Sequence, residues 1–569
     1  MTLTDEDKKI IEKYALQNAV KYGKAPQFAA VMSKVMGECT HLRASAKQIA
    51  PLIQEILENV SKETPEQWQA RLELLAPEMI ENLCSKKEPV KGLKPLEDAQ
   101  PGKVIMRFAP NPNGPPTLGS TRGIVVNSEY VKMYNGKFII RFDDTDPQTK
   151  RPMLEAYAWY LEDCEWLGAV PDQVVIASDR IPLYYKYARQ LIEQGNAYVC
   201  FCSSEDFKKL KDASKPCPHR NTSPQDNLAH WEKMLAGEYE AKDAVLRLKT
   251  DIMHKDPAIR DYGIFRIVKQ SHPRPEVDEK YFVWPLLDFE GAIEDHELGT
   301  THIIRGKDLM DSEKRQKYIY KYLGWQYPKT LHWGRIKMHE FGKFSTSTLR
   351  RAIEEGEYSG WDDPRLPTLR AMRRRGILPQ AIRKFMIDMG VGETDVSISM
   401  DTLYAENRKI VDPIANRYFF VWDPVELTIN DAKPRTARPP LHPTENKGYR
   451  CINVGDRVLL CKDDVEQLTV GSRIRLKDLY NVEITSLAPL QAKYLGDEVA
   501  NLKKERMKII HWAPIDGIPV KVLSPEGEFK GIGEKQIATE LDKVVQFERF
   551  GFCRIDSVGA EIVAYFTHK

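Results

Sequence analysis

Ile49, Leu52, Ile53, Ile56, Leu57 and Val60 recur at i, i+3, i+4, i+7, i+8 and i+11, which puts all six on one face of a helix. That stripe marks a separable helical extension over 1–98, leading into a polar linker from about Ser85 to Gly102 with three prolines and two glycines. The period then changes. Val104–Phe108 and Phe138–Phe142 are apolar runs of strand length, and the amphipathic stretch Ile124–Tyr134 lies between them, so the segment reads as a βαβ unit. Met153–Leu167 and Pro182–Gln194 follow as helices and Thr301–Ile304 as a further strand, which predicts an α/β Rossmann-type domain with an open parallel sheet over 99–325. From about 200 to 285 Cys, His, Pro and mixed charge interrupt the alternation, the mark of an inserted subdomain. A helical connective region is expected over 326–398. Over 399–569, short Val/Ile/Tyr/Phe runs separated by Gly, Pro, Asn and Asp predict an all-β region of barrels.

Length agrees with this division, because single cores stop growing at about 250–300 residues and the chain has 569. A composition of 42% hydrophobic and 29% charged residues excludes a mainly disordered chain. The formal net charge of +2 argues against binding nucleic acid or membrane by bulk charge. The charge is unevenly placed, however. Residues 52–81 carry seven glutamates against one lysine and one arginine, whereas 365–384 carry seven basic residues and no acid. No apolar run approaches the roughly 18 residues of a membrane span, and the opening residues lack the basic and apolar regions of a signal peptide, so a cytoplasmic location is expected. Nine cysteines, an odd number, read as reduced thiols with one metal site.

Three constellations carry chemistry. Arg107-Phe-Ala-Pro110-Asn111-Pro112-Asn-Gly114 continues to Thr117-Leu-Gly119-Ser120 and joins a strand to a helix, where N–H groups and the helix dipole favour phosphate. The same spacing also suits an ordinary Pro/Gly-rich loop. Arg141-Phe-Asp143-Asp-Thr-Asp-Pro ends the second strand, where ligands of open parallel sheets bind, although Asp-Pro segments also cap turns. Cys200-x-Cys202, fourteen residues, then Cys217-x-His219 supplies four ligands suited to a structural, tetrahedral Zn²⁺, with scattered reduced cysteines as the alternative.

Together these segments resemble the catalytic core of class I aminoacyl-tRNA synthetases of the glutamyl/glutaminyl branch. There, Arg-Phe-x-Pro-x-Pro-x-Gly runs into a His-Ile-Gly-His signature and Arg-Phe-Asp-Asp-Thr follows one βα unit later. The likeness continues through Trp284–Phe289, Asp295–Gly299, Thr301–Asp308 and Val545–Gly551, and spans nearly everything from residue 100 onward. The acidic helical extension is similar to that of archaeal-type glutamyl-tRNA synthetases.

The resemblance implies ATP- and Mg²⁺-dependent activation of L-glutamate, then transfer to the terminal adenosine of tRNA(Glu). Catalysis would rest on Arg107, Thr117, Gly119, Ser120, Lys343 and Ser345. Arg107, Asp143, Trp284 and Arg305 would bind the amino acid, Asp143 taking its ammonium. ATP would meet Pro110, Asn111, Pro112, Gly114, Gly119, Lys343, Ser345, Thr346 and Ser347. The chain departs from the pattern twice. Thr117 and Ser120 stand where the signature has histidines and offer only neutral donors, and Thr346 replaces the second lysine of Lys-Met-Ser-Lys-Ser, with Arg350 and Arg351 near enough to compensate.

Arg305 is the most informative position, since the resemblance sets an arginine there against the side-chain carboxylate of glutamate, and glutamine would leave it without a counter-ion at a cost of about 3–5 kcal/mol. A structural ion pair with Asp308 or Asp311 is the alternative. The basic run, with Arg365, Arg370, Arg373, Arg374 and Arg375, is either a solvated helix face or a track for tRNA phosphates. The C-terminal barrels would read the anticodon. A glutaminyl enzyme and a non-catalytic tRNA-binding protein are the rival readings. Use of tRNA(Gln) besides tRNA(Glu) stays open, and the acidic extension is a candidate dock for another protein.

Overall fold

The computed structural model describes residues 4–39, 46–77, 79, 92–341, 346–499 and 507–569. It divides into two compact units, 1–91 and 92–569. The first holds α1 (Asp5–Tyr22), α2 (Phe28–Glu38), α3 (Ala46–Ser61) and α4 (Pro65–Leu75). Thr4 and Thr64 start α1 and α4 with reciprocal capping boxes, each satisfying backbone donors that a helix start leaves open. Four of the six stripe residues, Ile49, Ile53, Leu57 and Val60, are buried against Leu16, Val35 and Trp68. Ile56 is partly buried, and Leu52, at the edge of the stripe, is 37% exposed.

The second unit opens with β1 (Ile105–Phe108), β2 (Lys137–Phe142) and β3 (Gln173–Ile176), all parallel, with the helix Leu118–Met133 crossing from β1 to β2. The inserted subdomain is a four-stranded antiparallel sheet of β4 (Ala197–Cys200), β5 (Val245–Leu248), β6 (Gly263–Ile267) and β7 (Val283–Pro285). The chain then returns through β8 (His302–Gly306), which pairs in parallel with β9 (Lys329–Trp333). Thr301 joins this pair to β1: its N–H donates to Ile105 O (2.9 Å), and its hydroxyl accepts from the Ile105 N–H (2.9 Å). The parallel frame is therefore split by the insertion and closed again by one residue.

The region expected to be helical over 326–398 also contains a short parallel pair, β10 (Ile336–Met338) with β11 (Val396–Ile398). Its helices share the core of the first βαβ unit, where Leu369, Met372, Ile382 and Phe385 meet Ile124, Val126 and Ile140. The helix Met400–Val411 adds Met400 and Leu403 to that core, so the β-rich region begins only at Arg417. Two seven-stranded sheets follow. One is built from strands between Pro424 and Pro514; the other takes Arg417–Trp422 together with strands from Ile518 to His568. The second sheet is thus started, left for the first, and completed at the C-terminal end. No helix among the described residues is long and apolar enough to cross a membrane.

Candidate functional site

A cleft of about 590 Å³ opens at the carboxyl ends of β1, β2 and β8, where open parallel sheets bind ligands. Three arginines converge there. Arg107, on β1, donates to both carboxylate oxygens of Asp295 (2.8 and 3.2 Å). Arg141, on β2, donates to Asp295 (2.9 Å) and to both oxygens of Asp143 (2.6 and 3.1 Å). Arg305, on β8, donates through Nη1 to Gln316 Oε1 (3.0 Å), and its Nη2 stays 3.8 Å from Asp295. Asp295 is supplied by the helix Leu287–Glu297. Its burial alone would raise its pKa, but Arg107 and Arg141 outweigh that and hold it at about 2.

The charge count of this cluster decides what it can bind. Burial, reinforced by Asp143, pushes Glu290 well above the usual carboxylate range, and Thr145 donates a hydrogen bond to it. Glu294 is matched separately by Arg180 and Tyr184. Three guanidinium groups therefore share two carboxylate partners, Asp143 and Asp295, leaving one buried positive charge in surplus. It lies on Arg305, which is 6% exposed and whose Nε and Nη2 are without hydrogen-bond partners among the described residues. Burial first, then the neighbouring Arg107, lower its pKa, as expected of a cation short of counter-charge. Neither Asp308 nor Asp311 pairs with it. Unpaired buried donors carry a desolvation cost of roughly 1–3 kcal/mol each, which a bound carboxylate removes.

The loop after β1 is stitched to the end of β2. Pro110 O accepts from the Asp143 N–H (2.9 Å), Asn111 Nδ2 donates to Asp143 O (2.8 Å), and Pro112 O accepts from the Met153 N–H (2.8 Å). A Cβ on Gly114 would come 2.4 Å from Thr346 Cγ2 and 3.3 Å from Trp361, so only glycine admits this packing, and it brings the two signature segments together. Lys343 and Ser345 lie outside the described residues; Ser347 belongs to the helix Thr346–Glu354. Arg350 and Arg351, on the same helix, pair with Glu354 and Glu355.

Several expected site residues make structural contacts. Thr117 and Ser120 form the capping box of the helix Leu118–Met133: Thr117 N–H donates to Ser120 Oγ (2.9 Å), and Thr117 Oγ1 accepts from Ser120 N–H (3.4 Å). Ser120 Oγ also donates to Thr117 O (2.9 Å), and Leu118 N–H is taken by Pro367 O (2.8 Å). These hydroxyls close a helix end, and Gly119 is exposed on the same turn. Trp284 is 1% exposed, stacked on His272 within the core of the inserted subdomain, so it does not wall the cleft.

The arginine track is corrected at Arg375, which is 1% exposed and donates to Phe566 O (3.1 Å), Thr567 O (2.9 Å) and the Tyr404 hydroxyl (2.8 Å), fastening the last strand to the helical region. Arg374 pairs with Asp362 (2.7 Å) and Asp556 (3.0 Å), Arg370 with Glu162 (2.9 Å) and Arg365 with Asp363 (2.8 Å). Arg373 is exposed and lies over Trp166.

Cys200, Cys202, Cys217 and His219 converge: Cys217 Sγ lies 3.5 Å from each of the other two sulfurs and 3.4 Å from His219 Nδ1. All four ligand atoms fall within 4.8 Å of one another. That spacing suits one ion bonded to every sulfur at about 2.3 Å. All eight cysteines among the described residues are free.

Asp295, Arg141, Glu290 and Gln316 were not assigned roles from sequence. Asp295 and Arg141 sit inside segments that carried the resemblance, but nothing in a sequence shows that two charged residues 154 positions apart share one buried ion cluster. Gln316 gave no signal.

Residues 103–413 match the family model for the catalytic domain of class I tRNA synthetases (E and Q), and 415–494 and 509–556 match anticodon-binding domains of the same class. The chain is similar, at 73% identity over its whole length and the whole of the relative, to the glutamate–tRNA ligase of Methanococcoides burtonii. It is 70% identical, again over the full length of both, to that of Methanosarcina mazei. A solved glutamate tRNA ligase from Elizabethkingia meningosepticum covers 55% of this chain and 70% of its own, at 19% identity and a TM-score of 0.40.

Proposed function

The chain belongs to the glutamyl/glutaminyl family of class I tRNA synthetases, and on that premise we propose that it is a glutamate–tRNA ligase acting on tRNA(Glu). The observation that carries the choice of amino acid is the surplus charge on Arg305 with its two unpaired donors. Glutamate has a net charge of −1 and restores balance. Glutamine is neutral and would leave the guanidinium uncompensated.

In the first step a glutamate α-carboxylate oxygen attacks the α-phosphorus of ATP, the bond to the β-phosphate breaks, and diphosphate leaves. In the second, the terminal adenosine hydroxyl of tRNA attacks the acyl carbon and AMP leaves. Mg²⁺, when bound with ATP, would supply neutralisation of phosphate charge. The chain's own part is positioning and electrostatics: Arg305 holds the side-chain carboxylate, Asp143 the ammonium, and the loop from Pro110 to Gly114 meets ATP beside Thr346. Charging assays with purified tRNA(Glu) and tRNA(Gln) and each labelled amino acid test this. Glutamate on tRNA(Glu) is expected. ATP-dependent attachment of glutamine in preference would overturn the assignment, and tRNA binding without charging would favour a non-catalytic role. The assay also answers whether tRNA(Gln) accepts glutamate.

The four ligands of the inserted subdomain fit a structural Zn²⁺, and Arg247, whose charge favours the Cys200 thiolate, offsets the excess negative charge of three thiolates around a divalent ion. Metal analysis should return one zinc per chain, and Cys202→Ser should lower that occupancy together with the stability of the subdomain; full activity in a zinc-free preparation with three reactive thiols would refute the site. Arg373 is the best placed of the basic run to meet a tRNA phosphate. Arg373→Gln should weaken tRNA binding and reduce the salt dependence by about one unit of slope, measured by titration at several salt concentrations. The acidic stretch 52–81 of the unit over 1–91 is kept for docking another protein, and a cytoplasmic location fits both substrates.

A further inference from the structure

We propose that Gln316 sets the choice of amino acid by holding Arg305 in place without neutralising it. This rests on the reading of Arg305 given above. Gln316, on the helix Met310–Leu323, is 3% exposed, and its amide oxygen accepts from Arg305 Nη1 (3.0 Å) and from the Tyr327 hydroxyl (2.7 Å). Two donors occupy both lone pairs of that oxygen. Rotating the amide by half a turn would set its NH₂ against two donors, so its orientation is fixed. Gly291 provides the space: a Cβ there would come 2.9 Å from Gln316 Nε2.

The other two arginines of the cleft are treated differently. Arg107 and Arg141 each receive carboxylates, from Asp295 and Asp143. Arg305 alone is positioned by a neutral acceptor. The nearest acid on the same helix, Glu313, is turned toward His332 (3.4 Å) and Lys317 (2.6 Å). The guanidinium is thereby pre-oriented by one hydrogen bond and keeps its full charge and its remaining donors for a ligand. A glutamate at 316 has the same length and accepts the same hydrogen bonds, but brings a resident anion. The cleft's surplus charge would vanish, and the advantage of a carboxylate over an amide in the substrate would vanish with it. Gln316 is a positioning residue: it acts on the substrate through Arg305.

Steady-state charging with glutamate and with glutamine, on the full chain, compares the wild type with Gln316→Glu and Gln316→Met, with thermal melts and the KM for ATP as controls. Gln316→Glu should raise the KM for glutamate about a hundred-fold and lower the glutamate-over-glutamine preference by a similar factor, with the KM for ATP unchanged. Gln316→Met removes the acceptor without adding charge and should raise the KM for glutamate about ten-fold, with no relative gain for glutamine. A folded Gln316→Glu protein with unaltered preference overturns the proposal. If that variant does not fold, Gln316→Met decides, and an unchanged KM for glutamate then overturns it. A wild type that prefers glutamine would instead defeat the functional reading itself.

Discussion

Arg305→Ala is expected to lower kcat/KM for glutamate by roughly two to four orders of magnitude, corresponding to about 3–5 kcal/mol, while leaving the KM for ATP nearly unchanged. The size follows from removing a charge-assisted, bidentate partner of a carboxylate at a buried guanidinium. The selectivity of the loss follows from the geometry. Arg305 makes one hydrogen bond, to Gln316, and no close ion pair, so its removal leaves Asp295 with both of its principal partners, Arg107 and Arg141. The protein should melt near the wild-type temperature. Steady-state charging with glutamate and ATP varied in turn measures the effect, and equal losses for both substrates would contradict the assigned role.

Asp295→Asn should have the opposite profile, with loss of stability as well as of activity. Asp295 is buried and receives Arg107 through two hydrogen bonds and Arg141 through a third. Asparagine cannot accept from all of these donors and brings no charge, so it strands buried cations at a cost of about 3–5 kcal/mol, a large part of a domain's stability. The low pKa of Asp295 gives an independent check. A carboxylate at about 2 in the folded state and 3.8 as its ordinary value contributes stability that is complete above the ordinary value and is lost as pH falls through 4 toward 2. The wild type should therefore lose stability steeply in that window, and Asp295→Asn should lose less there because it has already forfeited the contribution. Urea unfolding at a series of pH values separates the two. An Asp295→Asn protein of wild-type stability would show that the three arginines do not depend on it.

Periodicity was enough to place the βαβ start, because Met106, Ile139 and Ile140 are buried in a frame whose strands read as continuous apolar runs. The cluster of Cys200, Cys202, Cys217 and His219 was legible because the four lie within twenty residues and local spacing alone brings them together. Thr117 and Ser120 were legible only as a helix start, because a capping box and a phosphate loop use the same residue types there. Arg375 misled because a run of arginines reads as a charged surface, whereas this one is buried among carbonyls contributed by residues nearly two hundred positions later. Trp284 failed for a related reason: alternation along β7 points Pro285 and Trp284 to different faces, and the resemblance marked the segment without saying which residue meets the cleft. The charge balance around Asp295 lay beyond any local pattern, since it sums residues from three strands and one helix.

The central claim is that the two unpaired donors of Arg305 receive the side-chain carboxylate of glutamate. A crystal structure of the protein with a non-hydrolysable glutamyl-adenylate analogue tests it most directly. The carboxylate oxygens should lie within about 2.7–3.2 Å of Arg305 Nε and Nη2, with Gln316 Oε1 still on Nη1. A bound side chain directed away from Arg305, or an Arg305 turned to Asp308 or Asp311, would contradict the account.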